Sequence, residues 1–251
     1  MFQYFFECSG TIVKGVGFSH FDPLHLAWLL AFALFCGLSC HVYKKANTEK
    51  RKKIRLIFAG LLLLDELIKI VGLSAFGNYN VNYLPLHLCS INIILIAIHA
   101  VKPFGALNNF LYTICIPGAL VALLFPSWTK LPLLNFMHLH SFTVHILLAT
   151  YPIMLTLAGD IRPRIRELPK SLLLLAGMAL PIYFVNLLFD TNFMFLMEAE
   201  KGNPLYAFEK MWGSHLWGFP VIIAGVLLVM YSPHIVLFIK NRCNAKARQH
   251  P

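Results

Sequence analysis

Residues 84–101 read LPLHLCSINIILIAIHAV, and this stretch decides the fold. It carries no Asp, Glu, Lys or Arg, and its length is close to the ~20 residues that cross about 30 Å of hydrocarbon. Yet it opens with His87, Cys89 and Asn92, directly behind Pro85. Proline suits the first turn of a helix, where its missing N–H costs little. The stretch therefore reads as a membrane helix with a polar group set near one end.

Six more runs have the same character. The expected spans are 23–43, 54–72, 84–101, 105–125, 135–158, 170–189 and 216–240. Of the 251 residues, 58% are hydrophobic and only 13% charged, which is inconsistent with a soluble domain and consistent with a polytopic all-α membrane bundle of about seven helices. Pro103 separates the third and fourth runs, because the residue before a proline avoids helical geometry. Pro117, Pro152 and Pro181 fall inside runs and predict kinks. Met1–Phe21 has neither a basic n-region nor a clean apolar h-region, so no cleavable signal is expected there.

The net charge of +10 raises nucleic acid as a partner, but its placement argues against that. Lys44, Lys45, Lys50, Arg51, Lys52, Lys53 and Arg55 share one connection; Lys102, then Arg162, Arg164, Arg166 and Lys170, then Lys240, Arg242, Lys246 and Arg248 fall on the same side. The opposite side has only Lys14, Lys130, Lys201 and Lys210. The positive-inside rule then puts the N-terminus outside and the C-terminus in the cytoplasm, which an odd number of spans requires. The expected organisation is a single membrane-embedded domain over 1–251. It comprises an outer interfacial segment 1–22, cytoplasmic loops 44–53 and 159–169, an outer loop 190–215 and a basic cytoplasmic tail 241–251. The outer loop mixes aromatics with Glu198, Glu200 and Glu209 and is expected to fold over the outer mouth. No internal repeat is visible, which weakens a secondary-transporter reading. The six cysteines (8, 36, 40, 89, 115, 243) show no metal-ligand spacing, and at least four lie in apolar runs, against a disulfide framework.

Ionisable groups inside spans are costly and usually face the bundle interior. Here they stratify. His25 with Asp22, then Asp65, Glu66 and Lys69, then His87, Cys89 and Asn92, then His138, His140 and His145, then Asn186, Asp190 and Asn192, and finally His215 all fall toward the outer end. Glu66 and Cys89 are each roughly 7–10 Å below that boundary at ~1.5 Å per residue. Each group also has an ordinary role to weigh. Asp65 and Lys69 are spaced i,i+4 and are expected to neutralise each other, leaving Glu66 for a cavity. A membrane cysteine is usually a small core hydrophobe, and membrane histidines often bond one helix to another. Helical spacing puts His87 and Cys89 on opposite faces; His138 and His145 share a face that His140 leaves.

Cys89 as nucleophile, with His138, His140 or His145 as base and Glu66 as orienting group, is a chemically complete set. Asn92 or Asn186 would donate to an oxyanion, and His87, Asp190 and Asn192 would contact substrate. An acyl ester at the lipid–water boundary is the natural acceptor. Three histidines with Glu66 could instead hold zinc, but the seven-span metal hydrolases use His-x-x-x-His with Ser and Asp, whereas MHLHSFTVH (137–145) is spaced differently. Metal chemistry therefore ranks below thiol chemistry: no metal and no cofactor is the first expectation, and a metal-dependent membrane hydrolase is the weaker alternative. The partners expected are membrane lipids and a lipid or small-molecule substrate. The alternative function is a non-enzymatic transporter component or small-ligand receptor using the same polar site.

At LPLHLCSIN (84–92), MHLHSFTVH (137–145) and N-x-x-x-D-TNFMFL (186–196), the chain resembles the YwaF family of bacterial integral membrane proteins, over essentially its whole length. It is distantly similar, most strongly around the third span, to the eukaryotic transmembrane-protein-164 family, implicated as acyltransferases acting on ether phospholipids through a cysteine. The resemblance implies a multi-pass protein of the bacterial plasma membrane. It also implies Cys89 as the acyl-accepting nucleophile, with a histidine of the third or fifth span as its base, in lipid metabolism.

Overall fold

The computed structural model describes residues 4–7, 10–13, 15–199 and 203–247, of which 233–247 are described as backbone only. Cys8, Lys14, Glu200, Lys201 and Arg248 lie outside the described residues, and no side chain of the basic tail is described. All described secondary structure is helical: α1 Pro23–Lys45, α2 Thr48–Ala75, α3 Leu88–Val101, α4 Gly105–Phe110, α5 Ile116–Leu124, α6 Phe136–Leu157, α7 Leu168–Phe189, α8 Pro204–Trp212 and α9 Gly218–Ala247.

Six segments are long and apolar enough to cross a membrane: Pro23–Lys45, Val81–Val101, Gly105–Leu124, Phe136–Leu157, Ile165–Phe189 and His215–Ser232. α2 is longer than any of these up to its own 28 residues, but Asp65, Glu66 and Lys69 interrupt its apolar run. Leu26, Leu30, Leu34 and Leu38 form an exposed i,i+4 stripe on α1, and Leu173, Leu180, Leu187 and Leu188 are exposed on α7. Side chains of this size in such bands face lipid rather than water.

Local chemistry sets the helix ends. Asp22 caps α1 by accepting from His25 N at 2.8 Å, and Pro23 takes the first position. Hydrogen bonds from the His25 and Ser19 backbones hold the Asp22 carboxyl below its ordinary value of 3.8. Asn47 caps α2, and Asn135 caps α6 by accepting from Met137 N and His138 N. α1 and α2 run on until only Ala46 and Asn47 separate them, so most of the 44–53 connection is helical. The 190–215 connection folds in part as α8.

α6 is the hub and packs against α1, α2, α3 and α5. One of the expected proline distortions is visible beside it. Residues Leu111–Cys115 widen into a π-helical turn just before Pro117, joining α4 to α5 in one span. Pro152 lies inside α6, where its missing N–H frees the carbonyl of Leu148. The Cys115 thiol donates to that carbonyl at 3.4 Å, so a side chain of the π-turn satisfies the group freed by the α6 proline. At the basic end, Asp160 receives Tyr43 Oη at 2.6 Å and Arg51 Nη1 at 2.7 Å, tying α1, α2 and the α6–α7 connection together.

The opposite end carries the cavity. Part of the N-terminal segment packs there: Asn135 Nδ2 donates to Tyr4 O and Glu7 O, and Asn78 Nδ2 donates to Phe6 O. Phe6 stacks on Phe76 at 4.3 Å. Phe18 N donates to Thr129 O, and a Cβ at Gly17 would lie 2.0 Å from that same oxygen, so only glycine permits this approach.

Candidate functional site

A cavity of ≈ 710 Å³ opens between α2, α3, α5 and α6 at the non-basic end of the bundle. Cys89, His87, Glu66, Lys69, His140 and His145 all line it. α5 is apolar throughout, whereas α2, α3 and α6 each bring polar side chains to this wall.

Cys89 occupies the second position of α3. The helix begins at Leu88, not at Leu84: residues 81–83 form a separate 3-10 turn, and His87 is the extended N-cap with φ −68° and ψ 151°. Helical spacing therefore does not relate His87 to Cys89, and the expectation of opposite faces fails. Both reach the same cavity. His87, the N-cap residue, makes no side-chain cap to the first-turn N–H groups around Cys89.

The three α6 histidines have different environments. His138 is fully buried and off the cavity wall. Its Nε2 accepts from Trp28 Nε1 at 3.0 Å and its Nδ1 contacts Leu131 O at 3.1 Å. A carbonyl only accepts, so Nδ1 carries the proton and both nitrogens are occupied. His145 Nδ1 contacts Ser141 O at 2.6 Å and is protonated for the same reason. This tautomer leaves Nε2 as a lone-pair acceptor on a ring stacked over Trp128 at 5.3 Å. His140 lies between two carboxylates, Nδ1 at 3.1 Å from Asp65 Oδ2 and Nε2 at 4.0 Å from Glu66 Oε2.

The charge pairing on α2 differs from the expected one. Lys69 pairs with Glu66 at 2.5 Å, three residues away, and Asp65 turns to His140 instead. The i,i+3 partner lies on the buried side of α2, whereas Asp65 faces the α6 edge, where His140 and Thr143 Oγ1 meet it. Glu66 Oε2 is buried with no hydrogen-bond partner and belongs to a cavity-lining residue.

The expected amides lie elsewhere. Asn92 is buried below Cys89 with Oδ1 unpartnered, but it is not on the wall. Asn186 is buried in the last turn of α7 and binds the bend that follows, accepting from Thr191 Oγ1 at 2.9 Å and Phe193 N at 2.8 Å and donating to Phe193 O at 3.0 Å. Asn192 Nδ2 donates to Glu198 O, and its Oδ1 accepts from Met197 N and Glu198 N. Asp190 is exposed at the C-cap of α7. None of the three lines the cavity. Lys130, Asn82, Asn203, Trp128 and Phe195 do, and sequence reasoning passed over them as sites. They lie in connections or at the ends of elements, where helical periodicity carries no signal. Among the described residues, no group of three His, Cys, Asp or Glu is placed to hold a metal ion.

The model of the TMEM164 family matches residues 17–231, from the segment before α1 into α9. The chain belongs to the TMEM164 family. The match takes in every cavity-lining helix, so the family and the site coincide along the chain. No curated protein and no solved structure gives a match. Family membership and the apolar helices together make this TMEM164-family chain an integral, multi-pass membrane protein in a lipid environment.

Proposed function

We propose that this TMEM164-family protein transfers or hydrolyses a lipid acyl ester through Cys89. The observation carrying the reading is that Cys89, at the uncapped N-terminus of α3, and His145, with Nε2 free, line one cavity. In the first half-reaction Sγ attacks the ester carbonyl carbon while its proton passes to His145 Nε2. The carbonyl electrons move to oxygen, where first-turn N–H groups of α3 supply donors. Collapse breaks the ester C–O bond, and His145 returns the proton to the departing alcohol, leaving a Cys89 thioester. A second alcohol, or water, attacks that thioester with His145 again as base. His140, held by Asp65 and Glu66, keeps the carboxylate side of the cavity ordered.

The topology that goes with this reading has α2 as a seventh crossing, the N-terminus outside and the cavity at the outer leaflet. The support is the set of basic residues at the opposite end. The segment divisions 1–22, 44–53, 159–169, 190–215 and 241–251, and a YwaF-type placement in a bacterial plasma membrane, belong to the same proposal and rest on the motifs and the charge count.

The test is an acyl-enzyme trap. Purified protein given a phospholipid ester should carry the acyl mass on the Cys89 peptide, released by hydroxylamine, and Cys89→Ala should lose both the adduct and turnover. Full turnover in Cys89→Ala would rule the nucleophile out. A second reading, a receptor or transporter component for a small polar ligand, draws on the unpartnered Glu66 Oε2 in the cavity wall. It predicts ligand-induced thermal stabilisation with no lipid product in liposomes.

A further inference from the structure

The segment that follows α7 is unusual in its backbone. Asp190 has φ 51°, Met194 φ 59° and Phe195 φ 56°, so three side-chain-bearing residues occupy the left-handed region within six positions. Bulky residues adopt this conformation only where the surroundings hold them there. The hold is identifiable. Both ends of the buried Asn186 amide bind the segment, its oxygen to the Thr191 hydroxyl and the Phe193 N–H and its nitrogen to the Phe193 carbonyl. Asn192 secures the next turn to Glu198. The consequence is felt in the cavity. Phe193 is buried with its ring 5.1 Å from the His87 ring in an edge-on contact, Phe195 is 6.1 Å from the same ring, and Phe195 lines the same cavity as His87 and Cys89.

We infer that Asn186 is a positioning residue: it latches the 190–195 strap so that Phe193 seats His87 and Phe195 narrows the approach to Cys89. The latch selects what reaches the thiol by size. Because the strap is held against its backbone preference, loss of the latch frees it to swing away from the cavity rather than leaving it in place. The inference rests on the reading of Cys89 as the reacting group only for its relevance to catalysis; the access it describes is measurable without turnover.

The experiment is alkylation of the folded full-length protein in detergent by iodoacetamide and by a bulky biotinylated maleimide, quantified at the Cys89 peptide by mass spectrometry. In the wild type the small reagent should outpace the bulky one well beyond their ratio on a free thiol. Asn186→Ala removes three hydrogen bonds and should raise bulky labelling by about tenfold or more, with a smaller gain for iodoacetamide. Thr191→Val, which removes one bond and keeps the shape, should give a partial gain. Phe195→Ala should reproduce the Asn186→Ala ratio with the latch intact, and it decides the matter if Asn186→Ala does not fold. A role in stability alone would lower the melting temperature of Asn186→Ala without altering the size ratio. An unchanged ratio in Phe195→Ala, or wild-type labelling at the free-thiol ratio, overturns the inference. An absent acyl–Cys89 adduct with the expected labelling ratios would instead count against acyl transfer and leave the strap standing.

Discussion

Three histidines on one helix show how far residue identity alone carries. His138, His140 and His145 lie within eight positions, and each qualifies on paper as a base for Cys89. Their partners separate them. His138 is spent on Trp28 and Leu131, His140 is held between Asp65 and Glu66, and His145 keeps Nε2 open. His145→Ala should therefore cut turnover by roughly 10²–10⁴, the range for loss of a general base. His138→Ala should leave the Trp28 N–H and the Leu131 carbonyl unpaired and cost roughly 1–3 kcal/mol of stability, with a smaller effect on turnover per folded molecule. Parallel rate and thermal-melt measurements on the two variants check this; equal rate losses would remove the distinction.

At the scale of elements, α2 and α6 form the polar wall together. Asp65, Glu66 and Lys69 were legible as a charged interruption near one end of an apolar helix. Which of them pair was not, because spacing permits both i,i+3 and i,i+4 partners and only the facing helix chooses. His140 on α6 draws Asp65 aside, and Lys69 then goes to Glu66. Removing the lysine alone strands a buried carboxylate. Lys69→Ala should cost roughly 3 kcal/mol, the low end for a broken buried pair because cavity water can reach Glu66. The double variant Glu66→Gln with Lys69→Met should melt closer to wild type. A Lys69→Ala melt no lower than that of the double variant would contradict the pairing. The same dependence on a facing helix explains Cys115: nothing in its own sequence context shows that its thiol serves the Leu148 carbonyl freed by Pro152.

At the scale of the whole molecule, the membrane arrangement follows from apolar length and basic clustering, properties that accumulate along the chain independently of how helices pack. The topology reading makes a direct prediction: an epitope fused ahead of residue 1 should be reached by antibody in intact cells, and one fused after residue 251 only after permeabilisation. The reverse pattern would invert the proposed orientation. All-helical architecture, the distortion near Pro117 and the gathering of polar residues toward one end of the helices were determined by sequence alone, since each depends on residues close in the chain or on burial in lipid. The tertiary structure decided which of those residues share a cavity. It put His87 and Cys89 on one cavity by starting the helix between them, and it withdrew His138, Asn92, Asn186, Asp190 and Asn192 from the wall. The physical reason is that helix starts, side-chain partners and strap geometry are set by contacts between segments far apart in sequence, whose free energies no local pattern encodes.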